Sequence, residues 1–73
     1  MKIVKITIND FYMEWKTNPE NKKEIDVDVW KDGVRIFWGT YPKVRGHGLE
    51  KNAFYWLNTA IIDAKREIVD IKS

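Results

Sequence analysis

The chain of 73 residues carries 13 Lys and Arg against 11 Asp and Glu, a net charge of +2. A chain of this length buries only a modest core, and without cysteine it has neither disulfides nor thiolate zinc sites. No apolar run approaches the roughly 18 residues that a membrane span needs, and the N-terminus lacks the apolar stretch of a signal peptide. We therefore expect one small cytoplasmic domain, residues 1–73.

The N-terminal segment predicts a β-hairpin. Apolar residues alternate from Val4 to Ile8 and again from Phe11 to Trp15. If Asn9-Asp10 forms a two-residue turn, Ile8 faces Phe11, Val4 faces Trp15, and the apolar side chains share one face. A single long strand with a bulge at Asn9-Asp10 fits the same alternation. The sequence leaves both interpretations open.

A second hairpin is predicted around Asp32-Gly33, a pair typical of type I′ turns. Pairing outward from this turn places Trp30 opposite Arg35 and Val27 opposite Trp38. The predicted core face of this hairpin holds Ile25, Val27, Val29, Val34, Ile36 and Trp38. The predicted opposite face holds Trp30, Arg35, Phe37 and Tyr41, beside Asp26 and Asp28.

A helix is predicted from about Leu49 to Asp70. Its broad apolar side, at 3.6-residue spacing, comprises Leu49, Ala53, Trp56, Leu57, Ala60, Ile61, Ala64, Ile68 and Ile71. A second stripe of Tyr55, Ile62 and Val69 recurs on the opposite side and predicts a homodimer interface. The elements together predict an α+β fold of order ββββα, in which a four-stranded antiparallel sheet of two hairpins precedes one long C-terminal helix.

Catalysis is not expected from this composition. The chain has no cysteine, and its one histidine and one serine are His47 and the terminal Ser73. It therefore offers no typical pair of a nucleophile and a base. Asp26 and Asp28 lie two residues apart on one strand face, a spacing more typical of a solvated strand than of an acid–base pair. We expect no catalytic residue, no metal site and no cofactor.

The aromatic face of the second hairpin predicts a binding function. Its four side chains, Trp30, Arg35, Phe37 and Tyr41, suit stacking on unpaired bases. Lys43, Arg45 and His47 would extend positive charge from the same strand end and hold phosphates. This favours a small nucleic-acid-binding module, with single-stranded DNA preferred over duplex.

Two other interpretations of the aromatic face stay open. Trp30 and Arg35 can form an isolated cation–π pair while the helix covers the other rings. Aromatic and arginine patches are also hot spots of protein interfaces. The alternative function is therefore a phage or mobile-element interaction protein that binds and inhibits a host protein.

Several segments resemble the transcriptional positive cofactor four family. They are Thr7–Phe11, Ile25–Trp30, Arg45–Leu49, and the helix positions Phe54, Leu57 and Ile61. The resemblance implies a four-stranded antiparallel sheet, a C-terminal helix, homodimerisation through that helix, and single-stranded DNA bound by the sheets in transcription regulation. By position, Arg45 takes the place of a family lysine and Trp30 that of a strand tyrosine.

The chain departs from that family at several positions. Asp28 replaces a strand arginine and Gly48 replaces a serine. The segment Arg35–Tyr41 is also similar to the strand before a helix in DNA-binding domains of plant transcription factors and in integrase arm-binding domains. That second similarity implies a sheet that reads duplex DNA in the major groove.

Overall fold

Four strands and one helix make up the fold. The computed structural model describes the backbone of residues 1–72 and the side chains of residues 1–68. The strands are β1 (Val4–Ile8), β2 (Phe11–Thr17), β3 (Glu24–Lys31) and β4 (Val34–Pro42), and α1 (Leu49–Lys72) follows them. The strands form one antiparallel sheet in the order β1-β2-β3-β4. The predicted α+β fold of two hairpins and a C-terminal helix is confirmed.

The first hairpin has a two-residue turn. Ile8 pairs with Phe11 and Val4 with Trp15, so that only Asn9-Asp10 lies between the strands. Asn9 adopts a φ of 54°, a left-handed conformation that asparagine tolerates better than most residues. The alternative of one long strand with a bulge is wrong.

The second hairpin turns at Asp32-Gly33 as predicted, and both turn residues have positive φ, 53° and 78°, as a type I′ turn requires. Trp30 also pairs with Arg35 as predicted. The register then shifts between Val29 and Trp30, so that Val29 pairs with Phe37 and Ile36 is an extra residue in β4. This β-bulge was not predicted.

The bulge corrects the predicted faces of β4, because one inserted residue reverses which side each later side chain points to. Phe37 and Tyr41, predicted to lie opposite the core, pack against it. Trp38, predicted in the core, is 64% exposed and pairs with Asp28 on the opposite face. Val34, also predicted in the core, lies beside the turn on an edge strand and is 63% exposed.

The core lies between the helix and one face of the sheet. Its buried side chains are Phe11, Met13, Trp15, Ile25, Val27, Val29, Ala53, Ala60 and Ala64. The three alanines lie along the contact side of α1 and let the helix backbone approach the sheet closely. Leu49, Trp56, Leu57, Ile61 and Ile68 pack around this centre, as the helical spacing predicted. The side chains of Ile71 and Val69 lie outside the described residues.

The helix itself extends two residues beyond its predicted end, to Lys72. Glu50 lies in its first turn, where a negative charge interacts favourably with the helix dipole. No helix in the described part of the chain combines the length and apolar character needed to cross a membrane.

Tyr41 connects β4 to the helix. Its hydroxyl donates a hydrogen bond of 2.6 Å to Oδ2 of Asp63, and its ring stacks on Trp56 with centroids 4.9 Å apart. The indole Nε1 of Trp56 donates in turn to the carbonyl of Pro42 at 2.9 Å. These contacts exist only because the bulge turns Tyr41 toward the helix.

Replacing Tyr41→Phe should lower the free energy of unfolding at pH 7 by about 1–2 kcal/mol, since the ring keeps its stacking but the hydrogen bond to a charged acceptor is lost. Urea denaturation of both proteins measures this difference. An unchanged free energy would contradict a stabilising contact between Tyr41 and Asp63.

The contact between Tyr41 and Asp63 also predicts that the difference in the free energy of unfolding between the parent protein and Tyr41→Phe depends on pH. Burial and the hydrogen bond to Asp63 raise the pKa of Tyr41 above its ordinary value of 10.0. The contribution of Tyr41 to stability is therefore fully present below pH 10 and declines as the pH rises from there through the folded-state pKa. In denaturation experiments above pH 10, the free energy of unfolding of the parent protein should approach that of Tyr41→Phe. A constant difference would show that the tyrosine is not protected from ionisation.

Candidate nucleic-acid interface

The structure separates the predicted binding residues into three places. Trp30 and Arg35 lie on the sheet face that the helix leaves uncovered, next to the Asp32-Gly33 turn. Phe37 and Tyr41 pack against the core on the other face. Lys43, Arg45 and His47 lie in the connection between β4 and α1, at the far end of the sheet. The single continuous surface expected from the sequence is therefore not formed.

The sheet face that the helix leaves uncovered, the open face, carries aromatic and charged side chains. It comprises Lys5, Thr7, Tyr12, Glu14, Lys16, Glu24, Asp26, Asp28, Trp30, Arg35, Trp38, Thr40 and Pro42. The rings of Tyr12 and Trp30 lie 5.5 Å apart. The guanidinium of Arg35 lies 4.6 Å from the ring centroid of Trp38 and 3.3 Å from Oδ1 of Asp28. Trp38 thus takes the exposed position that was predicted for Phe37 and Tyr41.

Three carboxylates occupy the centre of the open face. Asp26 accepts hydrogen bonds from Asn18 Nδ2 and from the Thr40 hydroxyl. Glu14 accepts the Tyr12 hydroxyl at 2.7 Å, and this hydrogen bond raises the pKa of Tyr12. Asp28 is paired with Arg35. The Arg35 guanidinium, which stacks on Trp38, is therefore already paired with a carboxylate. Lys5 and Lys16 lie opposite Glu14 and Asp26, so the charges at the centre of this face nearly balance.

A cleft lined by cationic side chains lies at the other end of the sheet. The basic cleft has a volume of about 430 Å³ and is lined by Lys22, Lys23, Lys43, Val44, Arg45, Gly46 and His47. Two loops form it, the β2–β3 loop and the connection from β4 to α1. No carboxylate is among the described residues that line it. Four cationic residues, Lys22, Lys23, Lys43 and Arg45, therefore lie around one cleft.

Lys43 holds the two loops together. Its backbone N–H donates to the Lys23 carbonyl at 2.8 Å, and its Nζ donates to Thr17 Oγ1 at 2.6 Å. The β2–β3 loop is itself ordered by Asn18, whose Oδ1 accepts the N–H groups of Glu20 and Asn21. The lysines of the cleft are therefore attached to backbone whose position is fixed.

Arg45 lies at the corner of a tight turn. The His47 N–H donates to the Val44 carbonyl at 3.3 Å, and Gly46 adopts a φ of 82°, the conformation that a type II turn requires at its third residue. Any residue with a side chain at position 46 would hold its backbone in a strained conformation. The turn leaves the Arg45 side chain exposed at the mouth of the cleft.

Asn52 fixes this connection to the helix. Its side chain is fully buried, and its Oδ1 accepts the Val44 N–H at 2.6 Å. Its Nδ2 donates to the carbonyls of His47 and Gly48 at 3.0 and 2.9 Å. Every polar atom of the side chain is satisfied, so Asn52 determines the shape of the loop that carries Arg45 and His47.

Sequence reasoning missed three parts of this arrangement. Nothing in the local sequence singles out Lys22 and Lys23, although the pairing of β3 with β4 brings them beside Lys43. Asn52 was not singled out, although a lone amide on the apolar side of the helix is an unusual position for a polar residue. Gly39 was also a signal, because glycine inside a strand often marks a bulge or a close approach.

Comparison of the chain with known protein families, characterised proteins and solved structures found no match. The resemblance to the transcriptional positive cofactor four family stays a prediction. Within the part of the chain that the structure describes, no three histidine or carboxylate side chains are placed to hold a metal ion.

Asn52→Ala should destabilise the protein by about 1–3 kcal/mol, since the Val44 N–H and the His47 carbonyl lose their partner. The matched control is Asn58→Ala, an exposed position on the same helix, where the change should stay within about 0.5 kcal/mol. Thermal unfolding measures both. Amide hydrogen exchange at Val44 should also become faster in Asn52→Ala alone, and an unchanged rate would contradict the role given to Asn52.

Proposed function

We propose that the protein is a small nucleic-acid-binding module that holds the sugar-phosphate backbone of a single strand in the basic cleft. The observation that carries this proposal is the convergence of Lys22, Lys23, Lys43 and Arg45 from two loops onto one cleft without a lining carboxylate. Cationic side chains near phosphates release condensed counterions, which supplies most of the affinity for nucleic acid. The proposed site therefore differs from the one expected from the sequence.

Base stacking is assigned to the exposed ring of Trp38, with Arg35 already stacked against it. Aromatic rings stack on any base, and each stack contributes roughly 1–3 kcal/mol. Lys43 follows Trp38 by five residues along the chain, a distance of about 16 Å in an extended strand. A strand held in the cleft must therefore run along β4 to reach Trp38. This path favours a flexible single strand over a duplex.

A protein partner is the second candidate, and the carboxylates of the open face favour it. Asp26, Asp28 and Glu14 at the centre of that face disfavour a polyanion there, whereas the exposed Trp38 with its stacked Arg35 has the composition of a protein-interface hot spot. In this alternative the chain is an interaction protein that binds and inhibits a host protein through its open face.

The proposal includes a homodimer joined through the helix. Tyr55 is 60% exposed and Ile62 is 53% exposed, one below the other on the side of α1 that does not face the core. Val69, the third predicted member of this stripe, lies outside the described side chains. Exposed apolar side chains that recur along one helix side favour a partner helix.

Fluorescence anisotropy with labelled single-stranded and duplex oligonucleotides across a salt series tests the cleft. Lys23→Ala and Arg45→Ala should each lower the salt slope for single strands by about 0.7, the value for one lost phosphate contact. Trp38→Ala should weaken binding by about 1–3 kcal/mol with little change in slope, because stacking releases no counterions. Single strands should bind more tightly than duplex.

Lys65→Ala is the matched control, because Lys65 is an exposed cation of the helix that does not line the basic cleft. Its affinity and slope should equal those of the parent protein. If Lys65→Ala and Arg45→Ala lose the same affinity and the same salt slope, net charge alone explains the effect and the cleft is not a specific site. If no oligonucleotide binds at about 50 mM salt, nucleic acid is excluded as the ligand and a protein partner remains as the candidate.

Ile62→Glu should convert the dimer to a monomer, since it places a charge in the apolar stripe. Light scattering after size exclusion measures the mass of each protein. Lys2→Glu, an exposed position just before β1 and away from the helix, makes the same change of charge; it is the control and should remain dimeric. A parent chain that is monomeric at high micromolar concentration would contradict the proposed dimer.

A further inference from the structure

His47 places a titratable ring at the basic cleft. It lines the cleft beside the four cationic residues, and it is the only histidine of the chain. An imidazole ordinarily gains a proton as the pH falls from about 8 to about 5, whereas lysine and arginine side chains ordinarily stay charged over that range. His47 is therefore the one residue of the cleft whose type changes charge near neutral pH.

The backbone at His47 is fixed from both sides. Its N–H donates to the Val44 carbonyl at 3.3 Å, and its carbonyl accepts Nδ2 of the fully buried Asn52 at 3.0 Å. Gly46 and Gly48 flank it, so neither neighbour has a side chain that covers the ring. His47 is exposed. The imidazole thus keeps its rotamers at the mouth of the cleft while its point of attachment does not move.

The charged groups that share the cleft with His47 all carry positive charge. They are Lys22 and Lys23 from the β2–β3 loop, and Lys43 and Arg45 from the connection between β4 and α1. The adjoining segments also contain the carboxylates of Glu20, Glu24 and Glu50, and Lys51 follows in the first turn of the helix. None of these four side chains lines the cleft. Among the described lining residues, none offers a negative charge to a protonated imidazole.

A phosphate in the cleft supplies the negative charge that the lining residues lack. Its oxygens accept charge-assisted hydrogen bonds, and an adjacent anion favours the protonated form of an imidazole. Binding of a phosphodiester chain and protonation of His47 therefore favour each other, and by linkage each strengthens the other by the same factor. A protein partner held on the open face would not be coupled to His47, which does not belong to that face.

We propose that His47 makes binding of a single strand at the basic cleft proton-coupled. The strand binds with uptake of one proton from solvent by the imidazole, and the protonated ring becomes an additional phosphate contact. This inference rests on the proposed function and assigns its regulation by pH. Affinity is then higher in mildly acidic than in mildly alkaline solution, while the four permanent cations hold the strand in both.

Fluorescence anisotropy with a labelled single-stranded oligonucleotide tests the coupling, in salt series at about pH 5.5 and about pH 8, on either side of the ordinary titration of histidine. The salt slope should be steeper by about 0.7 at the acidic pH, the value of one phosphate contact. Affinity at about 0.1 M salt should rise about fivefold, which is the counterion gain of that contact. Ordinary carboxylates stay charged at both pH values.

Two substitutions at position 47 separate the proton from the side chain. His47→Gln retains a polar side chain without charge, so its affinity and slope should equal those of the parent protein at about pH 8 under both conditions. His47→Lys is charged throughout, so its slope should equal the acidic value of the parent at both. Only the backbone of His47 bonds to the rest of the connection, so both variants should fold, which thermal unfolding checks.

The N-terminal amino group is the second kind of group that titrates near neutral pH. It belongs to Met1, which lies beside Glu14, Lys16 and Asp28 of the open face and does not line the basic cleft. Acetylation of the N-terminus removes this charge and serves as the matched control. The acetylated protein should keep the full pH dependence, and loss of that dependence would overturn the role given to His47.

The remaining outcomes distinguish the coupling from the proposed function. If the parent protein binds no oligonucleotide at either pH, the proposed function fails and the coupling fails with it. If it binds with the same pH dependence as His47→Gln, the coupling alone is overturned and the cleft acts through its permanent cations.

Isothermal titration calorimetry in buffers of different ionisation enthalpy measures proton uptake without any substitution. The parent protein should take up a fraction of a proton on binding the oligonucleotide near neutral pH, because the imidazole is only partly protonated there. Binding without proton uptake would overturn the coupling, even if both variants at position 47 failed to fold.

Discussion

The extra residue at Ile36 is the constraint on which the rest of the molecule depends. Without it, Trp38 would point into the core and Tyr41 away from the helix. With it, Tyr41 reaches Asp63 and stacks on Trp56, and the ring of Phe37 lies over Gly39. The bulge leaves Ile36 without a partner in the ladder and brings Tyr41 into contact with the helix. The same shift decides which backbone groups of β4 remain free at the edge.

The distribution of charge follows from the two faces and the two ends of the sheet. On the open face Arg35 is held by Asp28 and Trp38, and the remaining carboxylates accept neutral donors from their neighbours. The positive and negative charges of that face therefore nearly cancel. The basic cleft has no such compensation, so an anion that enters it gains attraction from several cations at once. Net charge alone, at +2, gives no indication of this separation.

Pre-organisation distinguishes the cleft from a mobile basic tail. Its loops are fixed by the Lys43–Thr17 and Lys43–Lys23 contacts and by the fully buried Asn52. A ligand therefore does not have to order these backbones when it binds, which removes a cost that flexible loops incur on association. The side chains of the lysines and Arg45 still lose rotamer freedom, so a moderate affinity with strong salt dependence is expected.

The sequence by itself determined the element order, the Asp32-Gly33 turn and the apolar side of the helix, because each depends on local periodicity or on a residue that tolerates positive φ, such as Gly33. It left the Asn9-Asp10 segment open between a hairpin turn and a bulged strand, and the pairing of Ile8 with Phe11 in the structure decided for the hairpin. It also identified Trp30 and Arg35 as residues of the uncovered face. Only the tertiary structure decided the faces of Phe37, Trp38 and Tyr41, since the bulge is stabilised by contacts with a helix that follows later in the chain. The cleft likewise required the tertiary structure, because Lys23 and Lys43 meet only through strand pairing.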